Sequence, residues 1–167
     1  AHNAAQAVAA VEALTGPLQP AIIEQGLTAV EAPARLEVVR RSPLVILDTF
    51  HNPHGAASAM AGVRESFEVE PLIAVVAAMA DKDIDGVLAV LSDTVSHLVV
   101  TSMPDLSRAL SVDELAEKAS SHWDSDHVTC VADVPEALEE AFRIADSYAP
   151  GAGVLIAGSV SYTHLRA

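Results

Sequence analysis

The stretch that decides the fold is residues 44–53, LVILDTFHNP. A run of apolar residues leads into Asp48, as in a buried strand, and Asn52 followed by Pro53 is typical of a capped helix start. The turn between them places Asp48 and His51 at the carboxyl end of a strand, the edge at which open α/β sheets bind ligands. A purely structural role, in which Asp48 accepts backbone N–H groups of the turn, is an open alternative.

Helix and strand patterns alternate from this stretch to the C-terminus. The predicted helices lie at 53–67, 83–92, 111–121 and 134–147, and the predicted strands at 72–79, 97–101, 127–131 and 153–158. The continuous apolar run LIAVVAAM at 72–79 is typical of a parallel strand covered on both faces. The sequence therefore predicts an α/β fold with a doubly wound, mostly parallel sheet of about six strands.

Two helices are predicted before the sheet, at 1–14 and from Pro20 to about residue 30, with Gly16-Pro17 ending the first. The β-rich runs 36–39 and 44–47 follow, separated by only a few polar residues, and are candidates for an antiparallel pair. The change from helical to β-rich sequence predicts a domain boundary near residues 32–33.

Two S-x-x-E-like patterns mark later helix starts. Residues 111–114 form a capping box with Ser and Glu, and residues 133–136 form a variant in which Asp replaces the Ser.

Composition and charge exclude several classes of protein. The chain is 51% hydrophobic and 19% charged, a globular composition, and its formal net charge is −14 with nine dispersed basic residues. Such a chain is a poor nucleic-acid partner. It has no apolar run of about 18 residues and no signal-peptide pattern, so we expect no membrane partner and a cytoplasmic location. The single cysteine, Cys130, excludes an internal disulfide.

Polar residues follow the carboxyl ends of several predicted strands. Asp48 and His51 follow one strand, Asp81-Lys82-Asp83 the next along the chain, and Gly158-Ser159 the last. Parallel strands would bring these residues to one edge of the sheet. The alternative for 81–83 is a solvated turn in which Asp83 caps the following helix. The sequence has no P-loop, nucleophile-elbow or zinc-binding motif, so the residues alone indicate a ligand-binding α/β domain.

Several motifs together resemble the folylpolyglutamate synthase/dihydrofolate synthase family, a branch of the Mur ligase superfamily. They are P-x-R-L-E at 33–37, D-x-x-H-N-P at 48–53, D-K-D at 81–83, G-S at 158–159 and AHNAA at 1–5, which is similar to the last helix of the family's central ATPase domain. The resemblance implies that residues 1–32 are the C-terminal helices of that central domain. Residues 33–160 would be the Rossmann-like C-terminal domain, with 161–167 as an unassigned tail.

The resemblance also implies an activity. Members of the family are ATP-dependent ligases that add L-glutamate to a folate or dihydropteroate carboxylate through an acyl phosphate, and they use ATP and Mg²⁺. The P-loop and the metal ligands lie in the central domain, so residues 1–167 alone are expected to be inactive. The expected partners are ATP, L-glutamate and a folate or dihydropteroate, with no nucleic acid or membrane, and the expected state is a monomer.

By the same resemblance, Asn3, Arg35 and Asp48 would bind ATP, with His51 beside them. Asp81, Lys82 and Ser159 are candidates on the substrate side, and we expect no catalytic residue and no metal ligand in this chain. Because neither Arg35 nor Asp48 lies within an apolar run, removing either is expected to leave the fold intact. The alternative is that the two form a structural ion pair between the first strands.

Two other functions stay open. One is a Mur-type peptidoglycan amino-acid ligase, whose C-terminal domain has the same layout, although the R-L-E and D-x-x-H-N-P motifs favour the folate branch. The other is a non-catalytic, small-molecule-binding α/β domain, which the missing P-loop motivates.

Overall fold

The computed structural model describes residues 2–30, 32–103, 106–148 and 150–158. The chain forms two compact units, Ala1–Pro33 and Ala34–Ala167. The first contains helices α1 (His2–Thr15) and α2 (Pro20–Thr28). Gly16 follows α1 with a φ of +83°, a conformation that suits glycine and ends the helix. Both predicted helices are present, and α2 is slightly shorter than predicted.

The described part of the second unit is built on a sheet of six strands in the order β1-β2-β6-β3-β4-β5. The strands are β1 (Glu37–Arg41), β2 (Leu44–Asp48), β3 (Leu72–Ala77), β4 (Val95–Val100), β5 (Val128–Cys130) and β6 (Gly153–Gly158). Strand β1 is antiparallel to β2, and the other neighbouring pairs are parallel. The predicted α/β, mostly parallel sheet is therefore confirmed, including the antiparallel first pair.

Helices cover both faces of this sheet. They are α3 (Pro53–Ser66), α4 (Ile84–Ser92), α5 (Val112–Ala119) and α6 (Val134–Ser147). One apolar cluster joins the sheet to α3, α4 and α5, and a second joins it to α6. Central strands β3 and β6 are buried along their whole length. In β3, Ala74 and Val76 belong to the first cluster while Ile73 and Val75 belong to the second, which explains the continuous apolar run.

The helix starts follow the local signals in the sequence. Asn52 caps α3, with its Oδ1 accepting the Gly55 N–H at 2.8 Å. At α5, Ser111 and Glu114 form the reciprocal capping box, whereas at α6 the Asp133 carboxylate accepts the Glu136 N–H at 3.0 Å. These bonds satisfy amide groups that the first turn of a helix leaves unpaired.

Within the described ranges, none of the helices is long and apolar enough to cross a membrane.

Candidate functional site

The strand register brings the predicted site residues to one edge of the sheet. Asp48, the last residue of β2, lies beside Ala157 of β6, and Gly158 lies beside Ala77, the last residue of β3. Because these strands are parallel, Asp48 and Gly158 share the carboxyl edge, as predicted. The loop that carries Asp81 and Lys82 follows β3 at the same edge.

Arg35 and Asp48 are paired at this edge. Arg35 Nη1 lies 3.3 Å from Asp48 Oδ1, and the Leu36 N–H donates to Asp48 Oδ2 at 3.0 Å. The Asp48 side chain is 6% exposed, but that of Arg35 is 52% exposed. Burial raises the pKa of Asp48, while the Leu36 N–H and the Arg35 charge act in the opposite direction. Because both of its oxygens accept hydrogen bonds, the Asp48 carboxylate holds Arg35 in place. The half-exposed Arg35 guanidinium has further N–H donors available.

The backbone on both sides of Arg35 is in the left-handed region. Ala34 has a φ of +55° and Leu36 a φ of +47°, which residues with a side chain seldom adopt. Hydrogen bonds hold this turn: the Thr49 N–H donates to the Ala34 carbonyl at 3.0 Å, and the Ala34 N–H donates to Glu37 Oε2 at 2.9 Å. Backbone strain of this kind clusters at ligand-binding sites and costs about 1–3 kcal/mol per residue. The turn therefore fixes where Arg35 is presented.

A small, narrow cleft with a volume of about 10 Å³ opens at the same edge. His51, Lys82 and Gly158 line it together with apolar residues such as Phe50 and Ile84. Gly158 has a φ of +90°, and a Cβ there would collide with the carbonyl oxygen of Ala77. A glycine is therefore needed where β6 reaches the cleft. The cleft is largely apolar, and His51 and Lys82 are the residues with ionisable side chains among those that line it.

Lys82 belongs to a group of three charges that the sequence motifs do not show in full. Lys82 Nζ and Arg108 Nη1 lie 3.3 Å and 3.2 Å from the same oxygen, Asp81 Oδ2. Desolvation acts to raise the pKa of Asp81, but the hydrogen bond and charge of Lys82, together with smaller contributions that include the charge of Arg108, lower the pKa overall. Sequence reasoning missed Arg108 because it lies in a loop before α5, far from Asp81 in the chain.

The structure supports the cap expected within the 81–83 motif. The Asp83 carboxylate accepts the Gly86 N–H at 3.0 Å and starts α4. Two other predicted site residues lie in the N-terminal unit or outside the described ranges. Asn3 is an exposed residue of α1 in the N-terminal unit. Ser159 and the tail at 161–167 lie outside the described residues.

This fold and edge define a ligand-binding type of α/β domain, and comparison with known proteins identifies the family. The family model for the Mur ligase, glutamate ligase domain matches residues 34–160, so the chain belongs to the Mur ligase family through this C-terminal domain. The dihydrofolate synthase/folylpolyglutamate synthase of Mycobacterium tuberculosis is 34% identical over 175 residues, which cover 96% of this chain and 36% of that protein.

Solved structures agree with the sequence comparison. The M. tuberculosis folylpolyglutamate synthase complexed with ADP and AMPPCP has a TM-score of 0.88 at 35% identity, covering 95% of this chain and 37% of its own. A Yersinia pestis bifunctional folylpolyglutamate synthase/dihydrofolate synthase with Mn, AMPPNP and L-glutamate bound has a TM-score of 0.66 at 35% identity, covering 86% and 32%. The resemblance read from the motifs is confirmed, and the chain spans about a third of the length of these relatives.

Proposed function

We propose that this chain is the C-terminal part of an ATP-dependent ligase that joins L-glutamate to the carboxylate of a folate or dihydropteroate. The observation that carries the proposal is Arg35, held by the buried Asp48 carboxylate and a strained turn at the binding edge of a Mur ligase domain. The folate synthases among the relatives support the folate branch over a peptidoglycan ligase. The proposed parts are residues 1–32 from the central domain, the ligase domain at 33–160 and an unassigned tail at 161–167. The proposed setting is a cytoplasmic monomer.

The Arg35 turn fits a nucleotide phosphate. A guanidinium offers a planar fork of N–H donors that matches phosphate oxygens, and the pairing with Asp48 through Nη1 leaves further donors on the exposed side. We assign Arg35 to the phosphates of ATP and Asp48 to the orientation of Arg35 and to the ribose hydroxyls. We also assign Asn3 and His51 to ATP binding. The M. tuberculosis relative was solved with ADP and AMPPCP, which supports nucleotide binding in this type of enzyme.

We assign the loop that carries Asp81 and Lys82 to the acidic substrate. The Lys82 ammonium suits a carboxylate, and His51 lines the same small cleft as Lys82. Asp81 belongs to this side as the counter-ion of Lys82, and Ser159, which follows Gly158 in the sequence, is the third substrate-side candidate. The L-glutamate complex of the Y. pestis relative supports an amino-acid site in this type of enzyme.

Mg²⁺ is proposed to bind through ligands upstream of this chain. The carboxylates described at the binding edge already have cationic partners, Arg35 for Asp48 and both Lys82 and Arg108 for Asp81, so they do not fit a dedicated metal site. The cluster of Asp124, Asp126 and His127 has ligand atoms within 4.8 Å of one another, but it precedes β5 and so lies at the amino edge of the sheet. Bound Mg²⁺ would neutralise phosphate charge during phosphoryl transfer.

In this reaction the domain positions reactants and does not attack them. The carboxylate of the folate substrate takes the γ-phosphoryl group, and the amine of glutamate then displaces phosphate to form the amide. Phosphoryl transfer depends mainly on alignment and charge stabilisation. Arg35 supplies fixed positive charge, and the Lys82 ammonium orients the incoming amino acid.

The test of this function is ATP kinetics in the full-length enzyme. We expect Arg35→Ala to lower kcat/KM for ATP by about 10- to 150-fold, the loss of a charge-assisted hydrogen bond worth about 1.5–3 kcal/mol. Arg35→Lys should recover only part of this, because a point charge does not reproduce a planar fork. Arg143→Ala is the matched control, since Arg143 is 68% exposed and pairs with Glu140 on α6.

Thermal unfolding separates the nucleotide role from a structural ion pair. A purely structural pair predicts a lower melting temperature for Arg35→Ala with ATP kinetics close to those of the wild type. Stable variants with unchanged ATP kinetics would remove Arg35 from the nucleotide site and withdraw the observation on which the proposal rests.

A further inference from the structure

One carboxylate oxygen in the loop after β3 is shared by two cations. Asp81 Oδ2 lies 3.3 Å from Lys82 Nζ and 3.2 Å from Arg108 Nη1. Lys82 lines the cleft, whereas Arg108 is not among its lining residues and has a side chain that is 70% exposed. The three side chains together carry a charge of about +1 in a chain whose formal net charge is −14.

Backbone bonds fix the two loops that carry these charges. The Ala80 N–H donates to the Arg108 carbonyl at 2.8 Å, and the Leu110 N–H donates to the Ala78 carbonyl at 2.9 Å. Met79 and Ala109 form an antiparallel bridge between these bonds. The Arg108 side chain is thereby held opposite Asp81 by bonds that do not involve the side chain, so its replacement leaves the link between the loops in place.

We propose that Arg108 is a positioning residue that neutralises Asp81 and so leaves the Lys82 ammonium available to bind a carboxylate of the acidic amino-acid substrate. The proposal rests on the function proposed above. A substrate carboxylate that approaches the Lys82 ammonium competes with Asp81 for it and is repelled by the Asp81 charge. Arg108 offsets both effects because it supplies Asp81 with a second counter-ion outside the cleft.

The effect of removing Arg108 has a defined sign. Without Arg108, Lys82 is the remaining cationic partner described for Asp81, so Asp81 holds the Lys82 ammonium more tightly. The surface around Lys82 also becomes more negative. Binding of an anionic amino acid should then weaken. An exposed ion pair that serves only stability contributes little, and it would not change the KM for one substrate selectively.

The experiment is a double-mutant cycle in the full-length enzyme, with glutamate-dependent ADP formation as the readout. We expect Arg108→Ala to raise the KM for L-glutamate about two- to fivefold, with kcat and the KM for ATP unchanged. Adding Asp81→Asn to Arg108→Ala should return the glutamate KM to the wild-type value or below it, because the competing charge is gone. Arg108→Lys should stay close to the wild type, and Arg143→Ala again serves as the control.

The outcomes distinguish an error in the proposed function from an error in the role of Arg108. If the wild-type enzyme forms ADP without dependence on glutamate, the proposed function is wrong. If the wild type depends on glutamate but Arg108→Ala leaves its KM unchanged, the role of Arg108 is wrong. A KM that stays raised in the double variant would also overturn the role, since relief by Asp81→Asn is the mark of charge competition. Asp81→Asn alone provides an independent check, because the proposal requires a glutamate KM no higher than that of the wild type.

Discussion

Asp48 is a buried residue at the end of β2, on the carboxyl edge of the sheet. The sequence places it after an apolar run, and on that basis it was expected to be replaceable without cost to the fold. In the structure Asp48 is 4% exposed and both of its oxygens accept hydrogen bonds, so we expect its removal to lower the stability of the fold. Replacing it would leave the Leu36 N–H and the Arg35 guanidinium without this acceptor. The ion pair with Arg35 that was the structural alternative is present, and the nucleotide role of Arg35 stays a proposal.

His97 is a second buried titratable residue, and it lies away from the binding edge. It is 8% exposed, and its Nε2 lies 2.8 Å from Thr129 Oγ1. Its ring centroid is 6.1 Å from that of His127. Burial, followed by the charge of His127, lowers the pKa of His97 below its ordinary value, while Glu140 and Asp126 act weakly in the opposite direction. The folded state therefore favours the neutral imidazole.

This lowered pKa predicts a pH-dependent stability. Well above the ordinary histidine pKa of 6.5, His97 is neutral in both the folded and the unfolded state and contributes no slope. As the pH falls below that value, the unfolded chain takes up a proton that the folded chain binds less readily, so the free energy of unfolding decreases. We expect His97→Gln to reduce this decrease between about pH 7.5 and 5.5, measured by chemical denaturation. His54→Gln, at an exposed position in α3, is the matched control. An identical slope in wild type and His97→Gln would contradict the assignment.

At the scale of secondary-structure elements, the sequence predicts local features well and non-local ones incompletely. The helices and strands are found close to their predicted positions because apolar periodicity and caps are local signals. Strand β3 ends at Ala77, earlier than predicted, and the apolar Met79 beyond it pairs with Ala109 from a distant loop. Strand β4 begins at Val95, before the predicted His97. Periodicity cannot show such pairings, because they depend on contacts between distant parts of the chain.

The candidate site divides in the same way. Asp48, His51 and Lys82 could be predicted because each follows a recognisable strand. Arg108 could not, because its position opposite Asp81 depends on how two loops meet. The strand order, with β6 inserted between β2 and β3, also has no local signal, although it is what brings Gly158 into the cleft.

The capping box of α5 gives a prediction at this scale. The Ser111 side chain accepts the Glu114 N–H, and the Glu114 carboxylate accepts the Ser111 N–H at 2.9 Å. We expect Ser111→Ala to lower the free energy of unfolding by about 1 kcal/mol, because the Glu114 N–H loses its side-chain acceptor. Denaturant unfolding measures this change, with Ser107→Ala in the exposed loop before α5 as the control. Equal stabilities of the two variants would show that the box contributes nothing to the domain.

At the scale of the whole molecule, the apolar core is distributed unevenly between the two units. Every buried residue in the described part of the chain lies at Ala34 or beyond. The N-terminal unit instead has several large apolar side chains that are exposed: Val11, Leu14, Ile22, Leu27 and Val30. Burial of apolar surface is the main favourable contribution to folding, so the second unit should hold most of the stability.

Deleting residues 1–33 tests this distribution directly. We expect residues 34–167 to unfold cooperatively, with a melting temperature within about 4 °C of the full 167-residue chain, since a larger shift would correspond to more than about 1 kcal/mol. Circular dichroism during heating measures the transition, and the helical signal lost by the deletion should match α1 and α2. The matched control is a chain that begins at Phe50. It lacks β1 and β2 and with them Ile46 and Leu47, which belong to the two apolar clusters. That chain should lose its cooperative transition. If the shorter deletion also abolished cooperativity, the two helices would be part of the folding unit despite their exposed side chains, and the core of the second unit would be insufficient alone.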